Sequence, residues 1–105
     1  MNVRWLNSAE VELTDFVRLE RQIFGFDVAT QIMDGIMSQL DDLMEFPNLG
    51  TLEPELKYQN LEVRTLHERH SRIFYTINDE EIIIVLFWDN RRDDKMIVPS
   101  INTAQ

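Results

Sequence analysis

Between Arg64 and Arg72, five of nine residues are basic in type, Arg64, His67, Arg69, His70 and Arg72, against the single acid Glu68. Farther along, Arg91 and Arg92 stand side by side where a long apolar run stops. Arginine keeps its charge at any physiological pH, and its planar fork takes two oxygens of a carboxylate or phosphate at once. In a sheet, the start of one strand lies near the end of its neighbours, so the two groups can share one end or face and form an anion or phosphate site. A plainer reading stands beside it and is preferred on composition alone: arginines at strand ends pair with nearby carboxylates, and Asp89, Asp93 and Asp94 are at hand. Histidine titrates near neutrality, which suits a general base or a metal ligand. However, H-x-x-H running from a strand into a turn separates the two rings and brings no third ligand, so surface histidines are preferred. Tyr75, three residues after Arg72, falls on the opposite strand face and reads as a core aromatic with a polar tip. The chain carries no Gly-rich phosphate loop, no G-x-S-x-G and no paired-carboxylate motif, and neither cofactor nor metal is expected.

The bulk of the chain sets the context for these arginines. Its 105 residues, 44% hydrophobic and 28% charged, suit one globular domain spanning 1–105 with a single core. Zero cysteines exclude disulfides, thiolate zinc sites and cysteine nucleophiles. The longest apolar run, Ile82 to Trp88, is a core strand rather than a membrane span, which needs about 20 residues. No charged, apolar and small-residue leader pattern opens the chain, so a cytoplasmic location is expected. The formal net charge is −9, and residues 1–56 hold most of it, with three Lys/Arg against eleven Asp/Glu. Such a surface repels nucleic-acid phosphate, so direct DNA binding by the chain alone is not expected, and a basic partner fits better.

The elements that must position the arginines follow from periodicity. Val3 to Leu6 reads as a short strand, and Asn7 with Glu10 forms an N-x-x-E start signal for a helix. Ala9, Leu13, Phe16, Val17 and Phe24 share one face of that helix, and Gly25 stops it. Asp27 is the expected cap of a second helix. Its stripe is Ala29, Ile32, Met33, Ile36, Leu40, Leu43 and Met44, continuing to Phe46 and ended by Pro47. The short connection makes the two helices an antiparallel hairpin, with Gly35 as a packing residue beside the stripe. Phe46 to Leu56, with two prolines and a glycine, reads as a turn-rich crossover. LEVRTLH then alternates, placing Leu61, Val63 and Thr65 on one face and Glu62, Arg64 and Leu66 on the other. RIFYTI and IIIVLFW form a hairpin about Asn78-Asp79, the second run apolar on both faces and therefore the central strand. The pattern leaves open whether Met96 to Ile101 makes an edge strand or a short helix, and SINTAQ reads as a frayed tail. The expected class is α+β: an N-terminal strand and an α-helical hairpin packed on a small antiparallel-rich sheet.

These fragments, in this order, resemble the RelE/ParE superfamily of type II toxin–antitoxin toxins. The likeness runs through W-x-x-x-A-x-x-x-L (Trp5, Ala9, Leu13), the Phe24-Gly25 turn and L-x-x-F-P-x-L-G (Leu43, Phe46, Pro47, Leu49, Gly50). It continues through E-P-E-L from Glu53 to Leu56, V-R-T-L from Val63 to Leu66, S-R-I-F-Y-x-I from Ser71 to Ile77 and D-N-R-R-D from Asp89 to Asp93. The resemblance implies a cognate antitoxin as partner and a role in plasmid stabilisation. In the ribonuclease members the matching arginines face a common concave surface that grips ribosome-bound messenger RNA, which would give Arg64, Arg72 and Arg92 that task. Those members typically add lysines where this chain has Val63 and Thr65, and a tyrosine or histidine after the double-basic motif; here Lys95, Met96, Ile97 and Val98 follow. The ParE branch, whose members poison DNA gyrase without such residues, is nearer to this pattern. On that reading Arg64, Arg69, Arg72, Arg91 and Arg92 are target or anion contacts; the alternatives are a messenger-RNA endoribonuclease and a decayed, inactive member.

Overall fold

Apolar residues at three- and four-residue spacing build two helices, and one glycine joins them. In the computed structural model, which describes residues 1–105, α1 is Asn7–Phe24 and α2 is Phe26–Glu45. Gly25 between them has φ 96°, a left-handed value that side chains avoid. Its N–H closes α1 on the Arg21 carbonyl at 2.9 Å, and its own carbonyl accepts from Ala29 at 3.3 Å to open α2. The expected start signals mark the right places but act differently. Asn7 is the first helical residue after Leu6, Asp27 lies in the first turn of α2, and neither side chain makes a capping bond. The acids Glu10 and Asp27 instead favour the helix starts through the backbone dipole.

The sheet has five strands: β1 Asn2–Trp5, β2 Thr51–Tyr58, β3 Leu61–Glu68, β4 Ser71–Asn78 and β5 Glu81–Asp89. Their spatial order is β1-β5-β4-β3-β2, with β1 parallel to β5 and every other pair antiparallel. This is the expected α+β class with a mixed, mostly antiparallel sheet. The β5 strand is interior, as its apolar run requires, but β4 rather than β5 occupies the middle. The hairpin between them turns on Asp79 and Glu80, one residue later than the sequence signal, with Asp79 at φ 57°.

Both faces of β5 are apolar because both are covered, and a bulge resets its alternation midway. Phe74 pairs with Leu86 and Tyr75 with Ile84, so Val85 is an extra residue and the alternation flips there. Ile82, Ile84 and Phe87 therefore join α1, α2, Leu66, Ile73 and Tyr75 in one core cluster. Ile83, Val85, Leu86 and Trp88 join Val63 and Phe74 in a second cluster on the other face. A short 3-10 turn, Asp94–Met96, and helix α3, Ile97–Asn102, cover that second face with Ile97 and Ile101.

Two further expectations change, and one open choice closes. The stretch Phe46 to Leu56 is not all crossover: its second half is the edge strand β2. Pro54 has no N–H to pair, and Pro54, Glu55 and Leu56 bulge out between the pairs Glu53 with Val63 and Lys57 with Glu62, which hides the strand pattern. Four strands rather than three thus follow the helical hairpin. Met96 to Ile101 is mainly helix, and the tail is not frayed. Ile101 is buried, and Gln105 exchanges two hydrogen bonds with Ser8, N–H to Oγ at 3.0 Å and Ser8 N–H to its carbonyl at 2.9 Å.

Candidate functional site

The strand ends do gather arginines, and each is held. The β3–β4 turn and the end of β5 lie together, joined by Asn90 N–H donating to the His70 carbonyl at 2.7 Å. Arg72 on β4 donates from Nε to Asn90 Oδ1 at 2.7 Å and from Nη2 to Asp94 Oδ1 at 2.6 Å. Arg91 grips Asp89 with two donors, each at 2.9 Å, and reaches the buried Glu20 of α1 at 3.3 Å. Arg92 pairs with Glu12 of α1 at 3.2 Å and lies 4.2 Å over the Trp88 ring. Arg69, in the turn at φ 51°, donates to Gln31 of α2 at 3.0 Å and lies 4.0 Å from Glu68. The pairing with Asp89 and Asp94 is the plainer of the two sequence readings.

Arg64 stands apart from this end. It lies opposite Tyr75 in the β3–β4 ladder, on the helical-hairpin face, whereas Arg72 lies opposite Trp88 and shares the other face with Phe74. Arg64 and Arg72, two of the three arginines expected on one concave surface, therefore lie on opposite faces: Arg69, Arg72, Arg91 and Arg92 gather at the end of β5, and Arg64 is elsewhere. Arg64 Nη1 donates to the carbonyls of Gly50 at 2.8 Å and Asn48 at 3.3 Å. The Tyr75 hydroxyl binds the same segment, donating to the Pro47 carbonyl at 2.7 Å and accepting from Gly50 N–H at 2.9 Å. Gly50 is required here, because a Cβ would come within 2.7 Å of the Tyr75 ring. Arg64, Tyr75, Asn48, Asn60 and Leu61 line a cavity of about 330 Å³.

The electrostatics follow from burial and partners. Burial pushes the Tyr75 phenol above its ordinary value, against the Gly50 hydrogen bond and the Arg64 charge. Burial likewise raises Glu12, and Arg92 offsets only part of it. For Asp89 burial pulls upward, but the hydrogen bonds and charge of Arg91 outweigh it and hold the carboxyl below its usual range. His67 and His70 are both exposed, and the structure has no group of three His, Asp or Glu residues able to hold a metal ion. The sequence reading of α1 missed Glu20. It lies four residues after Phe16 and four before Phe24, on the apolar stripe, and an acid there is buried and calls for a cation.

Comparison with known proteins agrees with this architecture. The family model for the ParE toxin of the type II toxin–antitoxin system parDE matches residues 3–94. A solved structure described as the chromosomal ParDE toxin–antitoxin system from P. aeruginosa superimposes with a TM-score of 0.68, at 22% identity, covering 85% of this chain and 95% of that one. At that identity the likeness establishes the fold. No curated protein sequence matches the chain.

Proposed function

The chain belongs to the ParE toxin family of type II toxin–antitoxin systems, and from that membership we propose that it acts by binding DNA gyrase, without catalysis, and is neutralised by a cognate antitoxin. The observation that carries the choice of mechanism is the state of Arg72 and Arg92. In a ribonuclease these would have to meet phosphate, yet Arg72 is held by Asp94 and Asn90, and Arg92 by Glu12 and Trp88. Tyr75, the one nearby tyrosine in β4, has its hydroxyl engaged by Pro47 and Gly50. The family resemblance still makes Arg64, Arg69, Arg72, Arg91 and Arg92 the residues to vary for target contact, and Arg64 alone among them lacks a carboxylate partner.

The antitoxin reading draws on the outer surface of α2. Met37 and Met44, with Phe46 and Leu49 beyond it, are exposed among Asp34, Asp41, Asp42 and Glu45. An amphipathic segment with basic flanks complements such a surface, as helix-in-groove recognition requires. Residues 1–105 are proposed to work as one domain in the cytoplasm. No helix is long and apolar enough to cross a membrane.

Purified protein tests the proposal in two parallel assays. Inhibition of gyrase supercoiling, or trapping of cleaved DNA, with ribosome-bound message left intact is the expected result. Codon-positioned cuts in ribosome-bound message, lost in Arg92→Gln, would overturn it in favour of the endoribonuclease reading.

A further inference from the structure

Most arginines of this acidic chain are neutralised from within. Arg4, Arg18, Arg69, Arg72, Arg91 and Arg92 each have a carboxylate oxygen within 4.0 Å. Of the other two, Arg21 is exposed over the Phe26 ring at the helical tip, and Arg64 is half-buried in the wall of a cavity. The geometry at Arg64 is that of a prepared receptor. Its Nη1 is tied to two backbone carbonyls, which fixes the plane of the guanidinium. The Nε and Nη2 hydrogens, the edge that matches two oxygens of a carboxylate or phosphate, meet no protein acceptor. A guanidinium already fixed in place loses little freedom when an anion arrives.

The surrounding residues limit what fits. Asn48 and Asn60 bring amide groups to the cavity, and Leu61 and Ile77 give it an apolar wall. Its volume of about 330 Å³ exceeds that of a bare carboxylate or phosphate, so the anion is carried on a small organic body. Glu62 also lines the cavity, and the chain carries −9, so a polyanion such as nucleic acid is repelled. We infer that the Arg64 cavity, on the sheet face away from Arg72, is a binding site for a small organic molecule bearing one oxyanion, a carboxylate or a phosphate monoester. This goes beyond the gyrase reading and does not depend on it.

The test is a titration of the full-length, isotope-labelled protein followed through the Arg64 Nε–Hε signal. Glutarate serves as the carboxylate probe and glycerol phosphate as the phosphate probe, and the one that binds more tightly identifies the source. Saturable binding at Arg64 with Kd of about 1 mM is expected for one fixed fork. Arg64→Lys, which keeps the charge but loses the fork, weakens it about tenfold or more. Because Arg64 also braces the Asn48–Gly50 turn, a second variant guards against a folding artefact. Glu62→Gln removes a repulsive charge and tightens binding about two- to fivefold. Shifts that do not saturate with either probe, equal affinity in Arg64→Lys, or no tightening in Glu62→Gln would overturn the inference.

Discussion

The end of β5 and the corner around Arg64 both place arginine on a sheet, but different groups hold the guanidinium. At the β5 end carboxylates do it: Asp94 for Arg72, Asp89 and Glu20 for Arg91, and Glu12 for Arg92. In the Arg64 corner backbone carbonyls of Asn48 and Gly50 do it, and the Tyr75 hydroxyl braces the same segment. A carboxylate cancels the charge it binds, whereas a carbonyl leaves the full positive charge in place. Local density of basic residues in the sequence is therefore a poor guide to available charge. Arg69, Arg72, Arg91 and Arg92 are neutralised by carboxylates, and Arg64, at the head of the same basic stretch as Arg69 and Arg72, is not.

The largest way to break the first region is through Glu20. It is fully buried, its Oε2 has no partner, and Arg91 is its one cation. Arg91→Ala leaves that acid buried and unpaired, which costs about 3 kcal/mol by chemical denaturation. Adding Glu20→Gln recovers most of the loss; a double variant as unstable as the single one would assign the effect to lost packing over Phe16 instead. The second region breaks more gently. Tyr75→Phe deprives the Pro47 carbonyl and Gly50 N–H of their partner and costs about 1–3 kcal/mol. It should disturb the Arg64 signal while leaving those of Arg91 and Arg92 unmoved.

Acid sharpens the contrast with the smallest effect. Glu12 lies above its ordinary value in the folded protein and Asp89 below it. As pH falls, Glu12 takes its proton first and releases Arg92, and Asp89 releases Arg91 later. The signs differ. Glu12 binds its proton more tightly when folded, so its contribution is present below its unfolded value and lost as pH rises through the folded one. Asp89 contributes stability above its unfolded value, and that is lost as pH falls through its depressed folded one. The Arg64 corner has no carboxylate among its bonded partners, although Glu62 lines the same cavity, so its signals should move less than those of Arg91 and Arg92 through this acid range. An NMR pH titration reads all three guanidinium groups at once.

Why some of this was legible in the sequence and some was not follows from the same physics. The helical hairpin was legible because Ile32, Ile36, Leu40 and Leu43 repeat with the helical period and bury one stripe. The β4–β5 hairpin was legible from its apolar runs, although the Val85 bulge that resets the alternation leaves no local mark. Strand β2 was hidden because Pro54 and the three-residue bulge break its alternation. Helix α3 was hidden because its six residues include Pro99 and bury little beyond Ile97 and Ile101. For the arginines, types and approximate place were legible, and so was pairing with Asp89 and Asp94. Partners from α1 were not, since Glu12 and Glu20 lie about 70 to 80 residues away in sequence from Arg92 and Arg91.

The claim that Arg72 and Arg92 serve the fold rather than a phosphate is tested most directly by growth arrest on expression without antitoxin. The Arg72→Gln/Arg92→Gln double variant is compared with wild type at matched soluble levels, after its cooperative melting has been verified. Losing two exposed or partly exposed ion pairs should lower stability by no more than about 2 kcal/mol. Arrest undiminished from wild type is expected, because carboxylates of the same chain already hold both guanidinium groups. Loss of arrest in a double variant that remains folded would contradict it and return these arginines to the working surface of the toxin.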